Sequence, residues 1–187
     1  MILYLRTNKH IYGVEIQSKL ADMAKNSVSL NNLTDKITII NKDMKDFAID
    51  NIESFDVITC NPPYFKVNEK NYFNLSEEKK IARHEVSITL SDVFSVSKKM
   101  LKNNGILSIV HRPERLLELL SNFKNNNIEP KRLQFVYSTI TKEAIMVLIE
   151  GVKNGKPGLK IETPFILFND NGTKTKEYEE LIKEVRK

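Results

Sequence analysis

"FDVITCNPPYF", Phe55 to Phe65, is the stretch on which the fold turns. A short apolar run with strand character, Phe55 to Cys60, leads straight into an asparagine, two prolines and an aromatic pair. Proline has no backbone N–H and drives the residue before it into extended geometry, so neither a β-ladder nor a helix continues through Pro62 and Pro63. A buried strand therefore has to stop here. It ends at a stiff turn that carries an amide at Asn61 and a phenol at Tyr64.

Upstream, Ile11 to Ile16 reads as a strand and Gln17 to Asn32 as a helix whose apolar positions Leu20, Met23, Ala24 and Val28 share one face. A second strand follows over Lys36 to Lys42, then an acidic turn around Asp43 and Asp46. Downstream, residues 65–86 are polar and irregular, a length that marks a lid or a binding loop. Leu90, Val93, Phe94, Met100 and Leu101 set a helix that is expected to end near Asn103-Asn104-Gly105, with the glycine in the left-handed cap position. Gly105 to Val110 is strand, and Arg112-Pro113-Glu114 opens a helix with its apolar face at Leu116, Leu119, Leu120 and Phe123.

The strands Arg132 to Thr139 and Glu143 to Val152 are too close in sequence for a parallel crossover, so they must form an antiparallel hairpin. This order predicts a doubly wound α/β fold, mostly parallel, with an antiparallel strand added at one edge. Beyond the hairpin lie a turn-rich connection, an extended segment over Leu159 to Asn169 and a closing helix marked by Tyr178, Leu181, Ile182 and Val185.

A chain of 187 residues, 41% hydrophobic, is expected to build one domain over residues 1–187. Its lone cysteine, Cys60, lies in the apolar strand, which suits a buried structural thiol in a reducing compartment. No apolar run reaches membrane-spanning length and the amino terminus lacks a signal-peptide pattern, so a soluble, cytoplasmic protein with no membrane partner is expected. No metal centre is expected. The balance of 29 basic against 24 acidic residues, net +5, mildly favours a polyanionic partner.

In open α/β sheets, ligands sit at the carboxyl ends of the strands. Glu15 closes the first strand, where its carboxylate either accepts the hydroxyls of a ribose or is a solvated glutamate beside a helix N-terminus. Asp43, past the second strand, either accepts from an adenine amino group, with the Met44 N–H meeting a ring nitrogen, or is an ordinary turn aspartate. At the proline turn the Asn61 side-chain oxygen and the Pro62 carbonyl supply two acceptors for the hydrogens of an amine, and Tyr64 a ring to stack on it. An amine held in this way has its lone pair drawn out of conjugation and aimed at an electrophile.

"NPPY" after an apolar strand resembles the amine-site motif of Rossmann-like S-adenosylmethionine-dependent methyltransferases that act on exocyclic or amide nitrogen. "YGVEIQ" and "NKDMKDF" resemble the ribose-binding and adenine-binding segments of that class. "NPPYFK", "ARHE" (Ala82 to Glu85), "VHRPERL" (Val110 to Leu116) and "EPKR" (Glu129 to Arg132) narrow the resemblance to the bacterial tRNA adenine-N6 methyltransferases that modify the adenine beside the anticodon of a valine tRNA. The resemblance implies a class I methyltransferase fold, S-adenosylmethionine as cofactor and tRNA as partner. It places Glu15 at the cofactor ribose and Asp43 with Met44 at its adenine, counts Ile16 and Asn61 among the cofactor-binding residues as well, and puts Asn61, Pro62, Pro63 and Tyr64 at the reacting amine. Phe65, Arg83, His84, His111, Arg112 and Arg115 become candidates for contact with a base flipped out of the anticodon loop or with RNA phosphates. Any one of those basic residues is also read as solvated surface or part of a helix-capping ion pair.

Methyltransferases of this class begin with a strand and a glycine-rich turn, yet the six glycines, Gly13, Gly105, Gly151, Gly155, Gly158 and Gly172, include none before the strand ending at Glu15. "MILYLRTNKH" looks like the tail of the helix that follows such a turn. The expectation is an amino-terminally truncated chain, lacking the first strand and glycine-rich loop, that binds the cofactor poorly or not at all and is itself inactive. It also predicts that the strands at Ile11–Ile16 and Phe55–Cys60 expose unpaired edges unless they close on each other. Other readings of NPPY are N-methylation of a release-factor glutamine or of a DNA or ribosomal RNA base. A non-catalytic RNA-binding remnant is the reading from outside the enzymes. Hydride transfer is disfavoured, because the dinucleotide glycine fingerprint is absent.

Overall fold

β-branched runs form the strands nearest the acidic residues. β1 (Ile11–Glu15) pairs in parallel with β2 (Ile37–Asn41), in register from Ile11↔Ile37 to Glu15↔Asn41, and α1 (Ser18–Leu30) is the crossover between them. The computed structural model describes Thr7, residues 9–62 and residues 88–185. The buried positions of α1 are Ala21 and Val28, whereas Leu20 and Met23 stay 43% and 60% exposed. The expected apolar face is thus only partly covered, because α1 packs on a sheet of two strands alone.

A one-turn helix, α2 (Met44–Phe47), leads to β3 (Phe55–Cys60), which pairs in parallel with β4 (Leu101–His111). α3 (Leu90–Met100) precedes β4 and opens on a capping box. Thr89 Oγ1 accepts from the Asp92 N–H at 3.1 Å, and the Asp92 carboxylate accepts from the Thr89 N–H at 2.9 Å. α3 ends earlier than the sequence suggests, and Leu101 is already extended. The left-handed residue is Asn104, φ 61°, and not Gly105. Gly105 is required for a different reason: a Cβ there would stand 2.9 Å from the Lys102 carbonyl and 3.2 Å from that of Phe55.

After a 3₁₀ turn (Pro113–Arg115) and α4 (Leu116–Asn125), β5 (Ile128–Tyr137) and β6 (Ala144–Lys153) form the expected antiparallel hairpin. β6 does not lie at the edge. It inserts between β4 and β5, antiparallel to both, so the order is β3-β4-β6-β5. The burial pattern explains the placement: Val147, Ile149 and Gly151 of β6 face the same core as Leu107 and Ile109 of β4. β7 (Lys160–Ile161) and β8 (Phe165–Ile166) run parallel to β5 on its outer side, and α5 (Lys176–Val185) follows. No helix of the described residues is long and apolar enough to cross a membrane.

α3 and α4 cover one face of this larger sheet. Phe94 of α3 and Phe123 of α4 are fully buried and meet edge to face, ring centroids 4.7 Å apart. Each such side chain contributes on the order of 1.5–3 kcal/mol by leaving water.

Among the described residues, β1 and β3 make no ladder with each other, and the strands form one two-stranded and one six-stranded sheet. Among the described residues, side-chain contacts and no ladder join the two sheets, with a Lys45–Asp92 ion pair at 3.1 Å beside them. Val14 and Ile40 from the small sheet, and Phe55 and Ile58 from the large one, pack against one cluster of Phe47, Ala48, Val96 and Met100. Tyr12 meets Phe55 edge-on at 5.6 Å.

Gly151 is the tightest point of the main core, where an added Cβ would lie 2.5 Å from Phe123 Cε1. Gly151→Ala is expected to destabilise the fold by about 1–3 kcal/mol through overpacking. Urea unfolding measures it, as a lower midpoint at unchanged slope.

Candidate active site

The carboxyl ends of β1, β2 and β3 open onto one cavity of about 460 Å³, within the usual range for small-molecule sites. Its walls bring together Glu15, Ile16, Asp43, Met44, Asn61 and Pro62, six positions singled out in the sequence. They come from three separate stretches of chain, and the strand ends bring them to one place.

Both carboxylates are held in the same manner. Glu15 Oε1 accepts from the Gln17 N–H at 2.9 Å, and Asp43 Oδ1 accepts from the Lys45 N–H at 2.7 Å. A backbone donor two residues on fixes one oxygen of each carboxylate and leaves the second for a ligand. Neither Glu15 nor Asp43 takes part in an ion pair among the described residues. The lysines beside them are paired elsewhere, Lys42 with Asp50 at 3.0 Å and Lys45 with Asp92 at 3.1 Å. The Thr89 N–H, foremost, holds the Asp92 carboxyl below its ordinary range. Two carboxylates in the lining of one cavity, neither of them in an ion pair among the described residues, suit a ligand rich in hydroxyl and amino donors.

The Met44 N–H lies in the first turn of α2, where backbone donors have no intrahelical acceptor. Across the cavity, β3 ends at Cys60, Pro62 is buried and Asn61 is exposed. Burial pushes the Cys60 thiol up to about 11, so it is an inert wall and no nucleophile at neutral pH. Val14, Gln17, Lys42, Lys45, Ile88 and Val93 complete the lining, and none of them was singled out in the sequence as a site residue. Val93 reads there as core, and Gln17 as an ordinary helix start.

Pro63, Tyr64, Phe65, Arg83 and His84 lie outside the described residues. His111 ends β4, Arg112 and Arg115 follow it, and none of the three lines this cavity. His111 is buried, 1% exposed, and its Nδ1 accepts from the Arg112 N–H at 2.7 Å. Arg115 is held by Glu118 through two bonds, Nε to Oε2 at 2.6 Å and Nη2 to Oε1 at 2.5 Å. That is the ion-pair reading of this arginine. Arg112 is exposed. No group of three or more potential metal ligands occurs among the described residues.

A second cavity of about 440 Å³ lies on the face of the large sheet away from α3 and α4, and shares Cys60 and Asn61 with the first. Its charges are mutually satisfied. Arg132 and Lys160 converge on Glu162 at 3.1 and 2.9 Å and hold its carboxyl low, Lys160 foremost.

Residues 9–145 match the family described as Eco57I restriction-modification methylase. The chain is 23% identical over 187 residues to the tRNA1(Val) (adenine(37)-N6)-methyltransferase of Flavobacterium psychrophilum, covering 98% of this chain and 76% of that one. Proteins of the same name from Porphyromonas gingivalis (25% over 143 residues) and Histophilus somni (31% over 101 residues) match 75% and 54% of this chain. The matches span only 55% and 42% of those two relatives. Among solved structures, a predicted O-methyltransferase of Agrobacterium tumefaciens superposes with TM-score 0.73 at 15% identity, over 94% of this chain and 78% of that one. Geranyl diphosphate C-methyltransferase of Streptomyces coelicolor gives 0.58 at 13% identity, over 81% and 65%. The architecture is the Rossmann-like class I methyltransferase fold.

His111 carries a pH dependence. Burial, foremost, and the nearby Arg115 lower its pKa below the ordinary 6.5. The unfolded chain therefore takes up a proton that the folded chain refuses, and stability present above 6.5 is lost as pH falls through that value toward the folded one. His111→Asn, which retains an acceptor near Nδ1, is expected to flatten this slope. Urea unfolding at pH 7.5 and 5.5, compared between the two proteins, measures it.

Proposed function

The chain belongs to the Eco57I restriction-modification methylase family, and from that premise we propose that it methylates the exocyclic N6 of an adenine in tRNA, with S-adenosylmethionine as the donor. One observation carries the reading: Glu15, Asp43, Met44, Asn61 and Pro62, from three strand ends, line a single cavity. The names of the relatives from three bacteria support tRNA, and specifically the adenine beside the anticodon of a valine tRNA, as the substrate.

The residues fit the cofactor. The free oxygen of Glu15 accepts from the ribose hydroxyls, and that of Asp43 from the adenine amino group, while the Met44 N–H meets a ring nitrogen. S-adenosylmethionine, when bound, supplies a methyl group on a positively charged sulfur. Asn61 Oδ1 and the Pro62 carbonyl accept the two hydrogens of the target amine and turn its lone pair toward that methyl. Tyr64 stacks on the base. No strong base is needed, since the amine sheds its extra proton to solvent after transfer. Phe65, Arg83, His84 and the exposed Arg112 are assigned to the RNA side, and the base is flipped out of its loop to reach the cavity.

The sequence alone leads to the expectation of an inactive chain; with one cavity lined from all three strand ends, low affinity and slow turnover are expected instead. Glu15 and Asp43 stand at the ends of one sheet and Asn61 at the end of another, with no ladder between them among the described residues. A site whose halves are joined by side-chain contacts and no ladder is poorly preorganised and binds correspondingly weakly.

The test is single-turnover transfer, with enzyme in excess, from methyl-labelled S-adenosylmethionine to unmodified tRNA, to a release factor and to DNA. Label is expected on adenine N6 of the tRNA, and Asn61→Ala is expected to slow its appearance about a hundredfold or more. Label in protein or DNA alone would rule out the tRNA assignment, and an unaffected Asn61→Ala would remove Asn61 from the reaction.

A further inference from the structure

We infer that Asn41, which does not line the cavity, is the positioning residue that aims the Glu15 carboxylate at the cofactor ribose. The inference rests on the reading of the cavity given above.

Asn41 is the last residue of β2 and is register-paired with Glu15 at the end of β1. Its side-chain nitrogen donates to two successive carbonyls of the departing β1 chain, Glu15 O at 2.8 Å and Ile16 O at 2.9 Å. Both hydrogens of the amide are thereby used. The orientation of this amide is chemically determined, because two carbonyl oxygens can be faced only by the nitrogen and never by Oδ1.

The second bond controls the carboxylate. In a trans peptide the C=O and the following N–H point in opposite directions, and no described peptide is cis. Holding the Ile16 carbonyl toward Asn41 therefore directs the Gln17 N–H the other way, onto Glu15 Oε1 at 2.9 Å. The Gln17 carbonyl is fixed in turn by the Ala21 N–H at 2.9 Å, the first bond of α1. The sequence of contacts runs from the Asn41 amide through the Ile16–Gln17 peptide to Glu15, whose other oxygen is left for the ligand.

Asn41 also stands two residues before Asp43, the acceptor on the adenine side. One side chain thus ties the exit of β1 to the strand that delivers Asp43. It sets the distance between the two carboxylates at the last pair of the strand ladder, beyond which no ladder bond holds them.

The experiment compares S-adenosylhomocysteine with its 2′-deoxy analogue, each titrated to millimolar concentration and followed by amide NMR. The wild-type chain is expected to prefer the ribose form by about tenfold or more, the effect of one lost hydrogen bond to a charged group. Asn41→Ala is expected to bring that preference to within about twofold. Glu15→Gln should do the same, and adding Asn41→Ala to it should change the ratio no further. A residue that merely supports the fold would weaken both ligands alike and leave the ratio standing. Should Asn41→Ala not fold, Asn41→Ser, whose hydroxyl reaches one carbonyl at most, is expected to give an intermediate ratio. A wild-type ratio retained in a folded Asn41 variant overturns this inference and leaves the cavity reading intact. No binding of either ligand by the wild-type chain overturns both.

Discussion

The cavity depends on where β3 stops. Pro62 has no amide hydrogen to continue the ladder with β4, whose last pair with β3 is Cys60↔Ile109. The chain therefore leaves the sheet at Asn61 while β4 runs on to His111. That early exit leaves Asn61 and Pro62 in the lining of the cavity at the ends of β1 and β2.

The opposing wall is held by a different device. Glu15 and Asp43 are each pinned by a backbone N–H two residues on. Such a bond fixes orientation without neutralising the charge, which an ion pair with Lys42 or Lys45 would do. Those lysines are drawn off to Asp50 and Asp92 instead. The electrostatics of the site come from this sorting: the acids line the cavity with spare acceptors, and the two lysines that share its lining are satisfied by other carboxylates. The weak point is mechanical. The wall bearing the acids belongs to a two-stranded parallel sheet, a unit too small for independent stability, which relies on Phe47, Val96 and Met100 to hold it against the larger sheet.

Much of this was legible in the residues. Prolines stop strands whatever the tertiary context, so the end of β3 was readable, and the ends of β1 and β2 followed from apolar runs broken by Glu15 and Asp43. The hairpin was readable because a connection that short admits only one geometry. Its place in the sheet was not, since β6 enters beside β4 through burial of Val147 and Ile149, a long-range choice that local pattern does not encode. The cap at Asn104 was misplaced because asparagine also tolerates the left-handed region, while Gly105 answers to close packing. For His111 and Arg115 the sequence left RNA contact, solvated surface and a helix-capping ion pair all open. In three dimensions, one is buried and the other is engaged by a carboxylate a helical turn away. Asn41 gave no signal at all, since its role lies in two carbonyls of another strand.

The central claim is that three strand ends form one nucleoside site. The most direct measurement is a residue-by-residue amide NMR map of the chain titrated with adenosine alone, the part of the cofactor that Glu15 and Asp43 would hold. The account predicts shifts concentrated at residues 14–17, 43–45 and 60–61, changing together with a single dissociation constant. Shifts centred instead on Ser108, Gln134 and Glu150, at the second cavity, would contradict it, as would a response confined to only one of the three strand ends.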